Sequence, residues 1–258
     1  MSFLPARTLP FTWAMLLLIV ALPRSEAAAP ARPATPPTPR AAAPYDITGY
    51  WVSVVTEDWL ERMTMPPKGF PGGLPVNAAA RKFAEGFDAA ADKAAGEACR
   101  AYGAPGILRM PGRLHISWQD DSTLRVDFSA GTQTRLIVFG RTPETAQPSL
   151  QGQSVGSWSE ALHLRQFARP AQETGRPALR VVTDHLRLGY LQKNGFPYSA
   201  NAVMTEHFDR FELNGTPWIV VTTTVEDPEY LSEPLIWSTQ FRKEPDSSKW
   251  KPTACGEF

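Results

Sequence analysis

The chain has no surplus of charge. Its 26 lysines and arginines match 26 aspartates and glutamates, and no block of like charges interrupts the balance, so the electrostatic footprint of a nucleic-acid binder or of a protein held on anionic membranes is missing. Histidine and cysteine are scarce, at four and two residues. His115, His163, His185 and His207 show neither His-x-x-x-His nor His-x-His spacing, and there is no cysteine cluster, so no metal site is indicated. Phosphate loops and dinucleotide glycine fingerprints are also missing, and no cofactor is implied. One stretch, Gly152-Gln153-Ser154-Val155-Gly156, matches a serine-hydrolase elbow by its letters. It runs into the strand-like Ser157-Trp158, whereas the elbow needs a strand-to-helix turn, so the match is read as false.

Long apolar runs are lacking as well. The longest, Phe11 to Leu22, is too short to cross a bilayer. Arg7 precedes it, and Pro23 and the small-residue segment Ser25-Glu26-Ala27 follow it, which together read as a secretory signal peptide over 1–27 cut after Ala27. No cysteine follows the run to carry a lipid. The mature chain is therefore expected to be soluble, periplasmic or secreted, with no stable membrane insertion after cleavage. Export also sets the redox compartment. Two cysteines in an oxidising space read as a disulfide between Cys99 and Cys255, the alternative being two buried free thiols.

Residues 28–44 are rich in proline and alanine and hold no large apolar side chain. They are expected to form a disordered tether, with a single folded domain over 45–258. In that domain alternating apolar and polar residues recur from Tyr50 to Thr56, Leu114 to Trp118, Leu124 to Phe128, Thr134 to Phe139, Leu179 to Leu186, Ala202 to Phe211, Trp218 to Val225 and Leu235 to Arg242. Such runs, bounded by Gly, Pro, Asn and Asp, predict antiparallel strands. One segment has helical period. Asn77 can cap a helix through Glu85, and the Ala-rich stretch to Glu97 continues it past a break at Gly86 and Asp88, giving one helical insertion near 77–97. A mainly β chain with this many strands is expected to close into a barrel, because closure removes exposed edges; a β-sandwich is the alternative.

Gly49-Tyr50-Trp51 opens the first strand like the Gly-x-Trp of lipocalins, whose Trp plugs the barrel floor. Asp46 to Trp51, Cys99 with Tyr102-Gly103-Ala104-Pro105, Arg109-Met110-Pro111-Gly112-Arg113, Gly152 to Trp158, Thr205 to Arg210 and Glu226-Asp227-Pro228-Glu229-Tyr230 occur in an order that resembles a group of exported bacterial β-rich proteins without an assigned activity. The resemblance covers most of residues 45–245. It implies export and a lipocalin-like β fold, and it carries over no catalytic residues.

Period two assigns faces. Met204, Glu206 and Phe208 share one face of their strand, with Arg210 beyond. If that face lines a cavity, burial would raise the Glu206 pKa toward general acid–base work; otherwise Glu206 is a polar plug paired with Arg210 or another base. Asp184-His185 ends a strand before the loop from Gly189 to Ser199, whose Tyr190, Lys193 and Tyr198 offer donors to a ligand if the loop is a lid. The alternative is an ordinary hairpin. Glu57-Asp58-Trp59 and Glu226-Asp227 invite a glycosidase reading, but adjacent acids on a strand face opposite ways, and acids before Pro228 are commonly turn formers.

The leading expectation is a barrel that binds a small apolar or aromatic molecule, lined by Trp51, Trp118, Met204, Phe208, Trp237 and Phe241, with Tyr190 and Lys193 at its rim. The second is a lyase, isomerase or hydrolase in the same barrel, using Glu206 with His185 or Tyr198. The third is an envelope-associated interaction protein whose proline-rich arm reaches a partner. Ligand identity and oligomeric state are not legible.

Overall fold

The computed structural model describes residues 36–140, 147–159 and 177–256. The signal-peptide segment lies outside them. A closed barrel forms from nine strands in the order β1-β11-β10-β9-β6-β5-β4-β3-β2. These are β1 (Gly49–Val54), β2 (Arg113–Trp118), β3 (Thr123–Phe128), β4 (Gln133–Phe139), β5 (Gln153–Trp158), β6 (Leu179–Asp184), β9 (Val203–Leu213), β10 (Thr216–Glu226) and β11 (Leu235–Lys243). A separate two-stranded hairpin is made by β7 (Gly189–Tyr190) and β8 (Pro197–Tyr198). The barrel is the expected architecture, with one difference. β4 and β5 pair in parallel, Ile137 opposite Ser154 and Phe139 opposite Gly156, so the barrel is mixed rather than wholly antiparallel.

Local chemistry explains the elements. Alternation buries every second residue, as in β10, where Ile219, Val221, Thr223 and Val225 point inward. Asn214 and Gly215, both at positive φ (52° and 73°), make the tight turn between β9 and β10. In the insertion, α2 (Ala78–Glu85) is capped by the Asn77 side chain, which accepts from the Ala80 amide at 3.1 Å. The expected break at Gly86 is present, after which Asp88 caps α3 (Ala89–Ala94) by accepting from the Ala90 and Ala91 amides. The insertion is larger than the 77–97 expected, since α1 (Trp59–Met63) and α4 (Ala104–Ile107) also belong to it.

Register places every loop. The residues that end β1, β6 and β10 and begin β2, β5, β9 and β11 lie at one rim, here the upper one. The helical insertion between β1 and β2, the β7–β8 hairpin between β6 and β9, and the turn between β10 and β11 therefore meet there. They cap the barrel. Leu74, Val76 and Ala80 of the insertion pack with Phe196 and Tyr198 of the hairpin and with Met204, Val225 and Trp237 of the barrel. The main core fills the barrel below and includes Trp51, Ile116, Leu124, Ile137, Val181, Phe208 and Phe241.

At the lower rim the Trp51 indole is fully buried and donates to the Ile47 carbonyl at 2.9 Å, with the Lys243 ammonium 4.6 Å above its ring. The segment before Tyr45 is also built onto this rim. The Arg40 amide donates to the Asp121 carbonyl at 3.0 Å, and the Trp158 indole donates to the Pro39 carbonyl at 3.2 Å. The expected tether thus gives way to fold before Pro39, not at Tyr45. Hydrogen bonds onto backbone carbonyls, one from the Arg40 amide and one from the Trp158 indole, hold this part.

Candidate functional site

The barrel interior carries an ion pair. Glu206 on β9 and Arg135 on β4 are 0% and 1% exposed, and Nη2 of Arg135 lies 2.8 Å from Oε2 of Glu206. The two charges thus meet as an ion pair at hydrogen-bond distance inside the barrel. Burial pushes the Glu206 carboxyl above its ordinary range, and the Arg135 charge opposes it. The base beside Glu206 is thus Arg135 from across the barrel, not Arg210 on its own strand. Thr223, directly opposite Glu206 on β10, and Thr239 on β11 have buried hydroxyls without protein partners, while Ser154 and Thr183 pair at 2.8 Å. A polar belt therefore crosses an otherwise apolar core.

The residues considered for acid–base chemistry do not converge. His185 directly follows β6 at the upper rim with φ 50°, and its ring is held by the adjacent Asp184 carboxylate at 2.7 Å. Tyr198 is fully buried between Gly103 and Gly189, its hydroxyl at the limit of hydrogen-bond distance from the Leu150 carbonyl, 3.5 Å. Burial drives its phenol far above the usual range. Among the described residues, no contact joins either group to Glu206.

The other acids and the serine of the elbow-like stretch are accounted for structurally. Asp227 accepts from the Ser199 amide and hydroxyl and from the Glu229 amide, at 2.6, 2.8 and 3.1 Å, which makes it a turn former. Asp58 pairs with Arg109 at 3.0 Å. Ser154 lies within β5 and not in a strand-to-helix turn, since the strand runs on to Trp158.

Of the expected ligand-binding residues, Trp51, Phe208 and Phe241 belong to the main core, and Met204 and Trp237 to the packing beneath the cap. Trp118 lines a hollow at the lower rim with Tyr45, Arg40 and Thr48. Tyr190 and Lys193 are brought together in a different place. They line a cleft of about 270 Å³ on the outer side of the cap, between the hairpin and the α3 region.

This cleft has apolar walls from Met65, Phe87, Ala90, Ala98 and Ala101. Phe87 meets the Tyr190 ring edge-on, centroids 5.5 Å apart. Gly195, at φ +88°, is what allows that approach, because a Cβ there would collide with the Phe87 side chain. Several polar groups around the cleft are paired with one another. The Tyr190 hydroxyl donates to Asp92 at 2.6 Å, Arg100 donates to Asp92 at 2.9 Å, and Arg187 pairs with Glu97 at 2.8 Å. Burial, with Asp92 adding to it, pushes the Tyr190 phenol up to about 12. Burial pulls the Lys193 ammonium down. The hairpin is not a free lid. Leu191 donates to the Phe196 carbonyl at 2.8 Å, and the Asn194 amide donates to the Pro67 and Phe70 carbonyls at 3.0 and 2.8 Å.

Sequence reasoning missed Phe87, because the helical segment was read only for its caps. It also missed Arg62 and Arg109, which stand below the hairpin. A signal for Arg62 exists in α1, where Trp59, Leu60 and Met63 are exposed and Arg62 is 2% exposed, the inverse of an amphipathic helix.

Among the described residues no group of three or more His, Cys, Asp or Glu is placed to hold a metal ion, and no helix is long and apolar enough to cross a membrane. Compared with known proteins, the chain matches no family model, no curated protein and no solved structure.

Proposed function

We propose that this is an exported binding protein for a small apolar or aromatic molecule, and that the molecule sits in the cleft between α3 and the β7–β8 hairpin. The observation that carries the reading is the cleft itself, about 270 Å³, walled by Phe87, Tyr190 and alanines, with Asp92 already held by Tyr190 and Arg100. A pocket of that kind gains from burying apolar surface and loses little by covering polar groups. Its position on a docked hairpin and a disulfide-linked segment keeps it preformed, which lowers the ordering cost of binding. Catalysis by Glu206 is the less favoured use of this fold, since its carboxylate is paired with Arg135 and neither His185 nor Tyr198 reaches it.

Ala90 lines the cleft from an exposed position on α3, so Ala90→Trp should fill the space without disturbing the core. Indole and naphthalene derivatives, titrated while amide shifts are followed by NMR, are expected to bind saturably to the unaltered protein and at least tenfold more weakly to Ala90→Trp at unchanged melting temperature. Equal binding to both proteins would place the ligand elsewhere.

A further inference from the structure

A second and much smaller hollow of about 20 Å³ is lined by Glu61, Arg62, Arg109, Leu191, Gln192 and Lys193. Lys193 lines both spaces. Arg62 is 2% exposed, and its Nε is used up in donating to the Arg109 carbonyl at 2.9 Å. Its Nη1 and Nη2 are buried and have no hydrogen-bond partner among the described residues. Arg109 is itself buried, bonded to Asp58 at 3.0 Å and seated 4.7 Å over the Trp237 ring.

Two guanidinium groups side by side away from water repel each other. Glu57 and Asp58 oppose this only through space, as neither bonds to the Arg62 Nη atoms. Burial, and then the Arg109 charge, pull the Arg62 guanidinium down to about 10, which still leaves it charged at neutral pH. A buried cation with two parallel N–H edges unmet is costly unless an anion completes it. The group that matches such a fork is a carboxylate, bound through both oxygens. The size of the hollow points the same way, because it takes little more than a water-sized group and so admits a head group rather than a whole ligand. Glu61 is the opposing carboxylate on its wall, against three cations.

We propose that Arg62, with Arg109 and Lys193, forms the seat for the carboxylate of a small apolar or aromatic acid whose body lies in the Phe87–Tyr190 cleft. This rests on the reading of the cleft given above and specifies its ligand class as a monocarboxylic acid with an apolar body.

Phenylacetate, 3-phenylpropionate and 4-phenylbutyrate, each paired with its neutral amide, provide the test by calorimetric titration. The acids are expected to bind the unaltered protein at least tenfold more tightly than the amides, and Arg62→Met is expected to erase that preference while leaving amide binding in place. Because Arg62 also holds the Arg109 carbonyl, circular dichroism must show that this variant is folded. If it is not, Lys193→Met decides, with a loss of at least threefold in acid preference expected. Acids and amides bound equally by the unaltered protein, or a preference that survives in the folded variant that decides the test, would overturn the carboxylate seat while leaving the cleft reading standing. Failure of every acid and amide to bind would remove both.

Discussion

Glu206 shows what can and cannot be read one residue at a time. Its place on the Met204–Phe208 face follows from period two, and its burial with it. Its partner does not follow, because Arg135 sits on β4, and which strand faces which across the axis is set by the order of closure. With the pair identified, Glu206→Gln should cost about 3–5 kcal/mol in urea unfolding, since it leaves a buried guanidinium without its counter-charge. The joint change Arg135→Met with Glu206→Leu should recover most of that loss, because both desolvated charges go together. A second residue tests electrostatics through pH. Burial pushes the Asp127 carboxyl up, but hydrogen bonds from Arg125 and Thr134, at 2.7 and 2.6 Å, outweigh it and hold the group below its ordinary 3.8. A depressed acid contributes stability above its unfolded pKa and loses it as the pH falls through the folded one. Asp127→Asn should therefore be less stable than the unaltered protein by about 1 kcal/mol at neutral pH, after allowing for solvent screening. The gap should close as the pH falls through the depressed folded pKa of Asp127, in melts across the acid range.

Among the elements, the barrel strands other than β5 and the helix α2 were legible because each announces itself locally, the strands by alternation and α2 by the Asn77 cap, whereas β5 showed only a strand-like Ser157-Trp158. α1 was not, since its apolar residues face outward and its arginine inward. The β7–β8 hairpin was legible as a polar and aromatic loop but not as a docked element, for its seat depends on glycines elsewhere in the chain. Tyr198 stands where a Cβ on either Gly103 or Gly189 would be, and Gly103 also faces the Leu150 carbonyl, which a Cβ would approach to 2.9 Å. Gly103→Ala is thus expected to overpack the joint between cap and hairpin at a cost of about 1–3 kcal/mol in thermal melts. Tyr198→Phe removes only a hydroxyl at 3.5 Å from its acceptor and should cost less than about 1 kcal/mol. A larger loss in Tyr198→Phe than in Gly103→Ala would mean that the hydroxyl, not the close packing, secures the hairpin.

On the scale of the whole molecule, closure and the Cys99–Cys255 bond agree with the sequence reading, whereas the parallel β4–β5 pair and the start of the fold do not. Both misses have one physical origin, namely that they depend on hydrogen bonds between distant segments, which local side-chain pattern does not encode. The disulfide ties the insertion to the C-terminal segment, whose Thr253 amide also donates to the Ser129 carbonyl at 2.8 Å. Reduction should lower the melting temperature, because it restores freedom to an unfolded chain closed over a long loop, an effect of about 4–5 kcal/mol in the chain-entropy picture. The N-terminal boundary gives a sharper comparison. Pro39 and Arg40 bond to Trp158 and Asp121, while Tyr45 donates to the Phe208 carbonyl at 2.7 Å and accepts from the Leu179 amide at 3.1 Å. A chain starting at Pro37 keeps every one of these contacts, and one starting at Tyr45 keeps only those of Tyr45. The first should melt like a chain starting at Ala28. The second should melt lower by several degrees, since two lost hydrogen bonds at about 1 kcal/mol each shift a domain of this size by that amount. Equal melting of the two truncated chains would return residues 37–44 to the status of a tether.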